Sequence, residues 1–353
     1  MSVEDGWAAV NLEMPKRIPR VEFSITEYHF DLMKAVTGID VGPTSPPEVK
    51  GRAAQAFVRK WNYDIFLAYL ITKEALASKR THMGHAVYAV GGSDFDDDIQ
   101  TPFQDPEEVF AFDPWETYGP IDKAAVTRQF EGHYQAQCEL YPTNVNMSGI
   151  YISLVTGLTY IFGWEMLLTA AGLDPVRFGE LANRYSSWVQ QYYDALAEAR
   201  VPVIYSHDDM VWAEGAIFHP EWYRKYVFPN LRKFWAPVLE SGKKILFVCD
   251  GDYTQFADDV AACGNHGFWF EIFTDLSVMV EKFGKTHFLI GNADTRILLS
   301  GGRDRIRAEV ERCISTGKNC PGYFMAVSNH IPPNTPVESA LYYNQAYEDL
   351  CRR

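Results

Sequence analysis

The sequence predicts an α/β protein, a (β/α)8 TIM barrel with N-terminal helical and loop extensions, formed as one domain over residues 1–353. Three observations lead there. From Asp174 to the C-terminus, short continuous apolar runs alternate with helical stretches, the pattern of parallel strands covered on both faces. The length of 353 residues accommodates a barrel core of about 250 residues plus extensions. No G-x-G-x-x-G or Walker-type glycine turn follows an early strand, as an open doubly wound sheet would require.

The elements follow in order. Arg17 to Ile25 places a proline before alternating β-formers, marking a first strand that ends near Glu22 to Ser24. Helical periodicity runs from about Glu48 to Lys79, carried by Ala54, Phe57, Val58, Trp61, Ile65, Phe66 and Leu70. Residues 80–120, rich in Gly, Asp and Pro, read as short strands and loops. The aspartates from Asp94 to Asp98 lack EF-hand spacing and read as a solvated acidic loop. Ile150 to Ala171 is a buried helix, with Trp164 as core. Asp174 caps a helix that Pro175 opens and that runs to about Arg200. Strands are then expected at Val201–Ser206, Lys244–Cys249, Gly267–Phe270, His287–Ile290 and Tyr323–Val327. Helices between and after them cover Pro220–Leu239, the stretch up to Cys263, Asp275–Phe283, Asp304–Thr316 and the segment from Pro336.

A formal net charge of −14 disfavours nucleic acid and anionic membranes, which select basic faces, and it weighs against a substrate with many carboxylates. Six scattered cysteines without a C-x-x-C pair read as reduced thiols of a cytoplasmic protein. The acidic N-terminus lacks the apolar core of a signal peptide, and no apolar run is long enough to span a bilayer. The 22 Phe, 20 Tyr and 9 Trp fit either an aromatic-rich core or a pocket for a flat, apolar ligand.

Chemistry is concentrated where strands end. His207-Asp208-Asp209, Asp250-Gly-Asp252, Glu271, Asn292 with Asp294, and Asn329-His330 each terminate a strand. In a barrel such ends converge on one face, where active sites are built. Helix capping also places Asp and Asn there, and Asp275 and Asp294 suit that use. Carboxylates grouped with His either hold a metal or act as acids and bases with separated pKa values. His207, Asp208 and Asp209 are the catalytic candidates. Tyr151, Asn292, Asn329 and His85 are candidates for substrate contact. Alternation along the strand assigns Asp250 to the barrel mouth and Cys249 to packing.

Asp208-Asp209 after one strand, Pro220-Glu-Trp-Tyr-Arg-Lys-Tyr-Val-Phe-Pro229 in the next helix, and a strand ending at Gly251-Asp252 resemble the uroporphyrinogen-decarboxylase superfamily. So do Ile290-Gly-Asn-Ala-Asp294, Leu298-Leu-Ser-Gly-Gly302 and His330-Ile-Pro-Pro-Asn-Thr-Pro336. The resemblance is clear from about Pro175 onward and implies the (β/α)8 barrel. The arginine-rich N-terminal stretch of the decarboxylase branch is not present; Pro19-Arg-Val-Glu-Phe-Ser24 stands near its place. The corrinoid-dependent methyltransferase branch is more similar. Its thiol-activating members carry a zinc-binding His-x-Cys-Gly motif, and here Val248 and Asp250 occupy those His and Cys positions, with Asn329 near the later Cys. The resemblance therefore implies an oxygen-rich site, with zinc on Asp250, Glu271 and His330, suited to an ether or phenolic oxygen. It implies an O-demethylase component that moves a methyl group from a methoxyaromatic, or a similar small methylated donor, to the Co(I) of a separate corrinoid protein. No corrinoid-binding Asp-x-His-x-x-Gly motif occurs in the chain itself. The alternative is a metal-independent decarboxylase using the same carboxylates for proton transfer.

Overall fold

A computed structural model describes residues 3–23, 25–84, 86–89, 92–95 and 98–353. Eight parallel strand segments close on themselves. They are β1 (residues 19–23), β2 (Ile65–Phe66), β3 (Val145–Asn146 and Ser148–Ile150), β4 (Val203–His207), β5 (Lys244–Cys249), β6 (Gly267–Phe270), β7 (Phe288–Ile290) and β8 (Tyr323–Phe324). Strands β3 to β8 form a continuous parallel sheet. Strand β2 pairs with the first piece of β3 through Ile65 opposite Val145. Closure is made by β1. Met325 N donates to Pro19 O at 2.8 Å on one side, and Asp64 N donates to Arg20 O at 2.9 Å on the other. The ring of strands is thus a TIM barrel.

The strands from β4 onward lie where the apolar runs place them, and Lys244–Cys249 and Gly267–Phe270 coincide with the expected limits. The N-terminal third differs. The helix expected from Glu48 to Lys79 spans Pro47–Lys60 only. Asn62 adopts a left-handed conformation (φ 52°) that stops it, and Ile65 and Phe66 continue as β2. A short apolar run of this kind satisfies helical and strand spacing equally well. Residues 80–120, expected as strands and loops, contain two short helices as well, Pro106–Ala111 and Pro114–Tyr118. Asp105 and Asp113 cap them, each ahead of a proline. Helix Lys123–Leu140, capped by Asp122, was not anticipated. Of the acidic run, Asp96 and Asp97 lie outside the described residues.

The apolar stretch from Ile150 is β3 at its start and helix Val155–Leu173 beyond. Gly163 (φ 73°, ψ 162°) breaks this helix, because only glycine takes that conformation without strain. Thr81 satisfies carbonyls that the break releases: its N donates to Tyr160 O at 2.9 Å and its Oγ1 to Ile161 O at 2.9 Å. The barrel core and its helical jacket are densely aromatic, with Trp188, Trp235, Tyr193 and Tyr205 fully buried. Between the layers the Tyr193 hydroxyl bonds Ser153 Oγ and Ser206 Oγ, both at 2.7 Å. Among the described residues no cysteine is paired, and no helix is long and apolar enough to cross a membrane.

Candidate active site

Strand register builds the site. His207 pairs with Val248, and Val248 pairs with Trp269, so these three point inward as one layer of the barrel. Two residues further along each strand come Asp209, Asp250 and Glu271, at the mouth. Period-two alternation thus sets three carboxylates side by side from three adjacent strands.

Their hydrogen bonds are specific. Asp209 Oδ1 accepts from Asp250 N at 3.0 Å and lies 3.0 Å from His207 Nε2. His207 Nδ1 faces Tyr151 O at 3.0 Å, and its ring stacks on Tyr151 with centroids 3.8 Å apart. Gly251 N donates to Glu271 Oε2 at 2.8 Å; the φ of 81° at Gly251 lets the chain turn there. Asn329 Nδ2 bridges the other two carboxylates, donating to Asp250 Oδ2 at 3.0 Å and to Glu271 Oε1 at 3.2 Å. His330 Nδ1 meets Asn329 Oδ1 at 2.5 Å, and its ring lies against Tyr28.

The electrostatics divide these groups. Burial works against a charged His207, but Asp209 outweighs it and holds the imidazole above its ordinary value. Burial would raise Asp209, yet His207 keeps that carboxyl below its usual range. The two form an ion pair. Asp250 is opposite: burial, then Glu271, then Asp209 push it well above the carboxylate range, and only Asn329 opposes them. Glu271 is raised by burial too, less so because Gly251 N–H and Asn329 favour its anion. Asp250 is therefore the member of the cluster most disposed to hold a proton.

Tyr151, His207, Asp250 and Asn329 share a small chamber with Phe23, Leu67, Tyr205, Val248 and Trp269. Its volume of about 60 Å3 is room for a few atoms. The other candidates lie elsewhere. Asp208 points away from the mouth: its Oδ1 accepts from Thr156 N at 2.8 Å, capping helix Val155–Leu173. Asn292 is buried, with Nδ2 donating to Glu271 O and Thr274 O and Oδ1 accepting from Arg312, so it holds the loop that carries Glu271. His85 lies outside the described residues. Cys249 is buried, its thiol donating to Asp250 O, and burial raises it well above the usual thiol range. Sequence reading missed Tyr205 and Trp269. Stepping back two positions from His207 and Glu271 would have found both.

The trio named for zinc is not gathered as a ligand set. Among the described residues no three His, Cys, Asp or Glu side chains are placed to hold one ion. The Asn329 amide, a donor, stands between Asp250 and Glu271, and His330 turns to Asn329. An amide donor rather than a cation bridges the two carboxyl groups, an arrangement that does not fit zinc.

Burial pushes Asp208 up to about 7, from 3.8 for the free side chain. The folded protein therefore retains a proton that the unfolded chain releases, and stability falls as pH rises from about 4 to about 7. Asp208→Asn keeps the cap and removes the charge. It should raise the melting temperature by several degrees at about pH 8 and leave it unchanged at about pH 4. Asp208→Ala, which loses the cap, should lower it at both. Thermal scans of the three proteins decide this.

A closed parallel barrel with ionisable residues at the strand ends defines a class of enzyme scaffold. Within it, residues 98–349 match the sequence profile of the family described as uroporphyrinogen decarboxylase (URO-D). The chain belongs to this family. A uroporphyrinogen decarboxylase of Syntrophotalea carbinolica is 26% identical over 168 residues, 48% of this chain and 47% of that protein. One from Pelobacter propionicus is 22% identical over 178 residues, 50% of this chain and 51% of the relative. The chain spans about half the length of these curated relatives. A methyltransferase from Methanosarcina mazei shares the fold over 99% of both chains, with a TM-score of 0.67 and 18% identity.

Proposed function

We propose that this protein is a methyltransferase that takes a methyl group from a methoxyaromatic, or a similar small methylated oxygen donor, and passes it to the reduced cobalt of a corrinoid on a separate protein. The observation that carries this reading is Asp250: a carboxyl that burial, Glu271 and Asp209 dispose to hold its proton, facing a chamber with room for a few atoms. Cobalt supplies the electron pair for the new bond to carbon. The C–O bond breaks, its electrons stay on oxygen, and Asp250 delivers the proton that turns the leaving phenolate into a phenol. Asn329 holds the Asp250 carboxyl, Glu271 holds the next backbone N–H at Gly251, and the charged His207–Asp209 pair fixes the backbone N–H of Asp250. Tyr151, stacked on His207, closes one wall against water.

A polycarboxylate substrate suits the site less well. Arg20 of β1 is held by Glu22 at 2.7 Å and Arg17, just before the strand, by Asp64 at 2.6 Å, so neither arginine is available to grip one. Among the described residues no Lys or Arg lines the chamber. The test is to incubate the protein with 2-methoxyphenol and a reduced corrinoid protein, following the cobalt spectrum, and separately with an aromatic acid and with a porphyrinogen acid, following released CO2. Methylated cobalt and free diol support the reading. CO2 released from an aromatic or porphyrinogen acid, with no methyl transfer, would replace it with decarboxylation. Because a proton and not a metal is assigned to the leaving oxygen, a strong chelator applied to this protein should change the transfer rate less than about twofold. A loss of more than tenfold, restored by zinc, would return the role to a metal.

A further inference from the structure

We infer that a cleft beside the barrel mouth, between the ends of β1 and β2 and helix Lys123–Leu140, binds an alkylated ammonium ion. The inference goes beyond the methyl-transfer reading and does not depend on it. The cleft has a volume of about 310 Å3, room for a quaternary ammonium head and a short tail. It reaches solvent at Glu27 and Leu140, both exposed.

Its walls carry aromatic rings that keep accessible surface. Phe23, Phe66 and Tyr69 line the cleft, and each is half-buried. Phe66 is backed by Tyr141, stacked on it with centroids 3.9 Å apart and planes at 18°. Tyr69 and Phe23 have centroids 6.4 Å apart with planes at 38°. The face of an aromatic ring is electron-rich and attracts a cation, and the attraction is largest for a cation that sheds its water easily. An ammonium whose charge is spread over alkyl groups is such a cation.

Charge points the same way. Two acids line the cleft, Glu22 and Glu27, and among the described residues no Lys or Arg lines it. Glu22 is balanced by the buried Arg20 at 2.7 Å. Burial pushes the His133 imidazole below its ordinary value, so it stays neutral and does not compensate an acid. Glu27 is left. Its carboxyl is partly desolvated, which raises it, and the neighbour that offsets this is the Tyr28 side chain and not a cation. The formal charge of −14 favours the approach of a cation to this face.

Other ligand classes fit less well. An anion meets Glu27 with no base to hold it. A bare metal ion needs several oxygen, nitrogen or sulfur ligands, and among the described residues no three His, Cys, Asp or Glu side chains are placed to hold one. A neutral molecule covers Glu27 without pairing its charge. The cleft and the chamber at Asp250 share Phe23 and Leu67 as walls, so the ion sits beside the chamber and not in it.

Calorimetric titration of the full chain with choline and with its uncharged carbon isostere, 3,3-dimethylbutan-1-ol, tests this. Choline should bind at least tenfold more tightly than the alcohol. Glu27→Gln, a change of charge at an exposed position, should leave the melting temperature unaltered, weaken choline about tenfold and leave the alcohol unchanged. Phe66→Leu should weaken choline by a similar factor. Equal affinity for the two ligands, no binding of choline, or unchanged choline affinity in Glu27→Gln would overturn the inference, whatever the transfer assay shows. Choline binding that survives Asp250→Asn but not Glu27→Gln places the ion in the cleft. The reverse dependence would place it in the chamber and overturn the inference.

Discussion

Asp250→Asn is expected to slow methyl transfer by about 10²–10⁴-fold while leaving the barrel folded. The amide matches the carboxyl in shape and can still take the Asn329 hydrogen bond through its oxygen, so packing is retained. What it loses is the transferable proton. It also removes the cost of keeping, on folding, a proton that the unfolded chain releases, a cost set by burial first and then by Glu271 and Asp209, so stability near neutral pH should rise slightly. A large loss of rate together with an unchanged or higher melting temperature distinguishes a lost acid from a damaged fold. The pH dependence follows from the same shift. Activity needs protonated Asp250, whose value lies well above the carboxylate range, so the rate should decline as pH rises through that value. Glu271→Gln removes a neighbouring negative charge that helps raise Asp250. The decline should therefore move to lower pH, with a smaller loss of maximal rate.

Gly149→Ala is expected to cost more than about 3 kcal/mol, or to prevent folding. Gly149 sits in β3 opposite Tyr205 of β4, and its carbonyl accepts from Leu70 N and Ile71 N beyond β2. A Cβ there would stand 1.9 Å from Tyr205 O, an atom of the neighbouring strand's backbone that has nowhere to retreat. The strand would have to move away from β4, opening the barrel next to Tyr151 and His207. Gly132, in helix Lys123–Leu140, is the control. Nothing lies within 4 Å of an added Cβ, and alanine there should stabilise by about 0.5–1 kcal/mol. Denaturant titration of the two variants reads both effects.

The second half of the chain announced itself because each strand from β4 onward is a mostly apolar run, bounded by an N-capping aspartate or a turn glycine. Asp174, Asp275 and Asp294 do cap their helices, as their places before Pro175, Leu276 and Thr295 suggest. The first half was less legible for physical reasons. Strands β1 and β2 form few regular pairs, and Ile65 and Phe66 fall in phase with the helix before them, so nothing in their spacing separates strand from helix. Helix Lys123–Leu140 buries few residues, chiefly Val126 and Phe130, and so shows a weak apolar stripe.

For the site, alternation along each strand was sufficient to bring Asp209, Asp250 and Glu271 together. It did not separate a carboxylate at the mouth from one that caps a helix. Asp208 and Asp209 are adjacent in sequence and face opposite ways, and only the position of Thr156 reveals that the first is a cap. Nor does spacing show that the Asn329 amide stands between Asp250 and Glu271 and donates to both, which is what separates this pair from a ligand set.

The most direct test is a single-turnover assay across pH, with 2-methoxyphenol, a corrinoid protein held at Co(I), and either wild type or Asp250→Asn. The account predicts methylated cobalt formed by the wild type at a rate that falls on the alkaline side, with the variant slower by at least a hundredfold and its pH decline abolished. Equal rates in the two proteins, or a wild-type rate that climbs with pH, would contradict it.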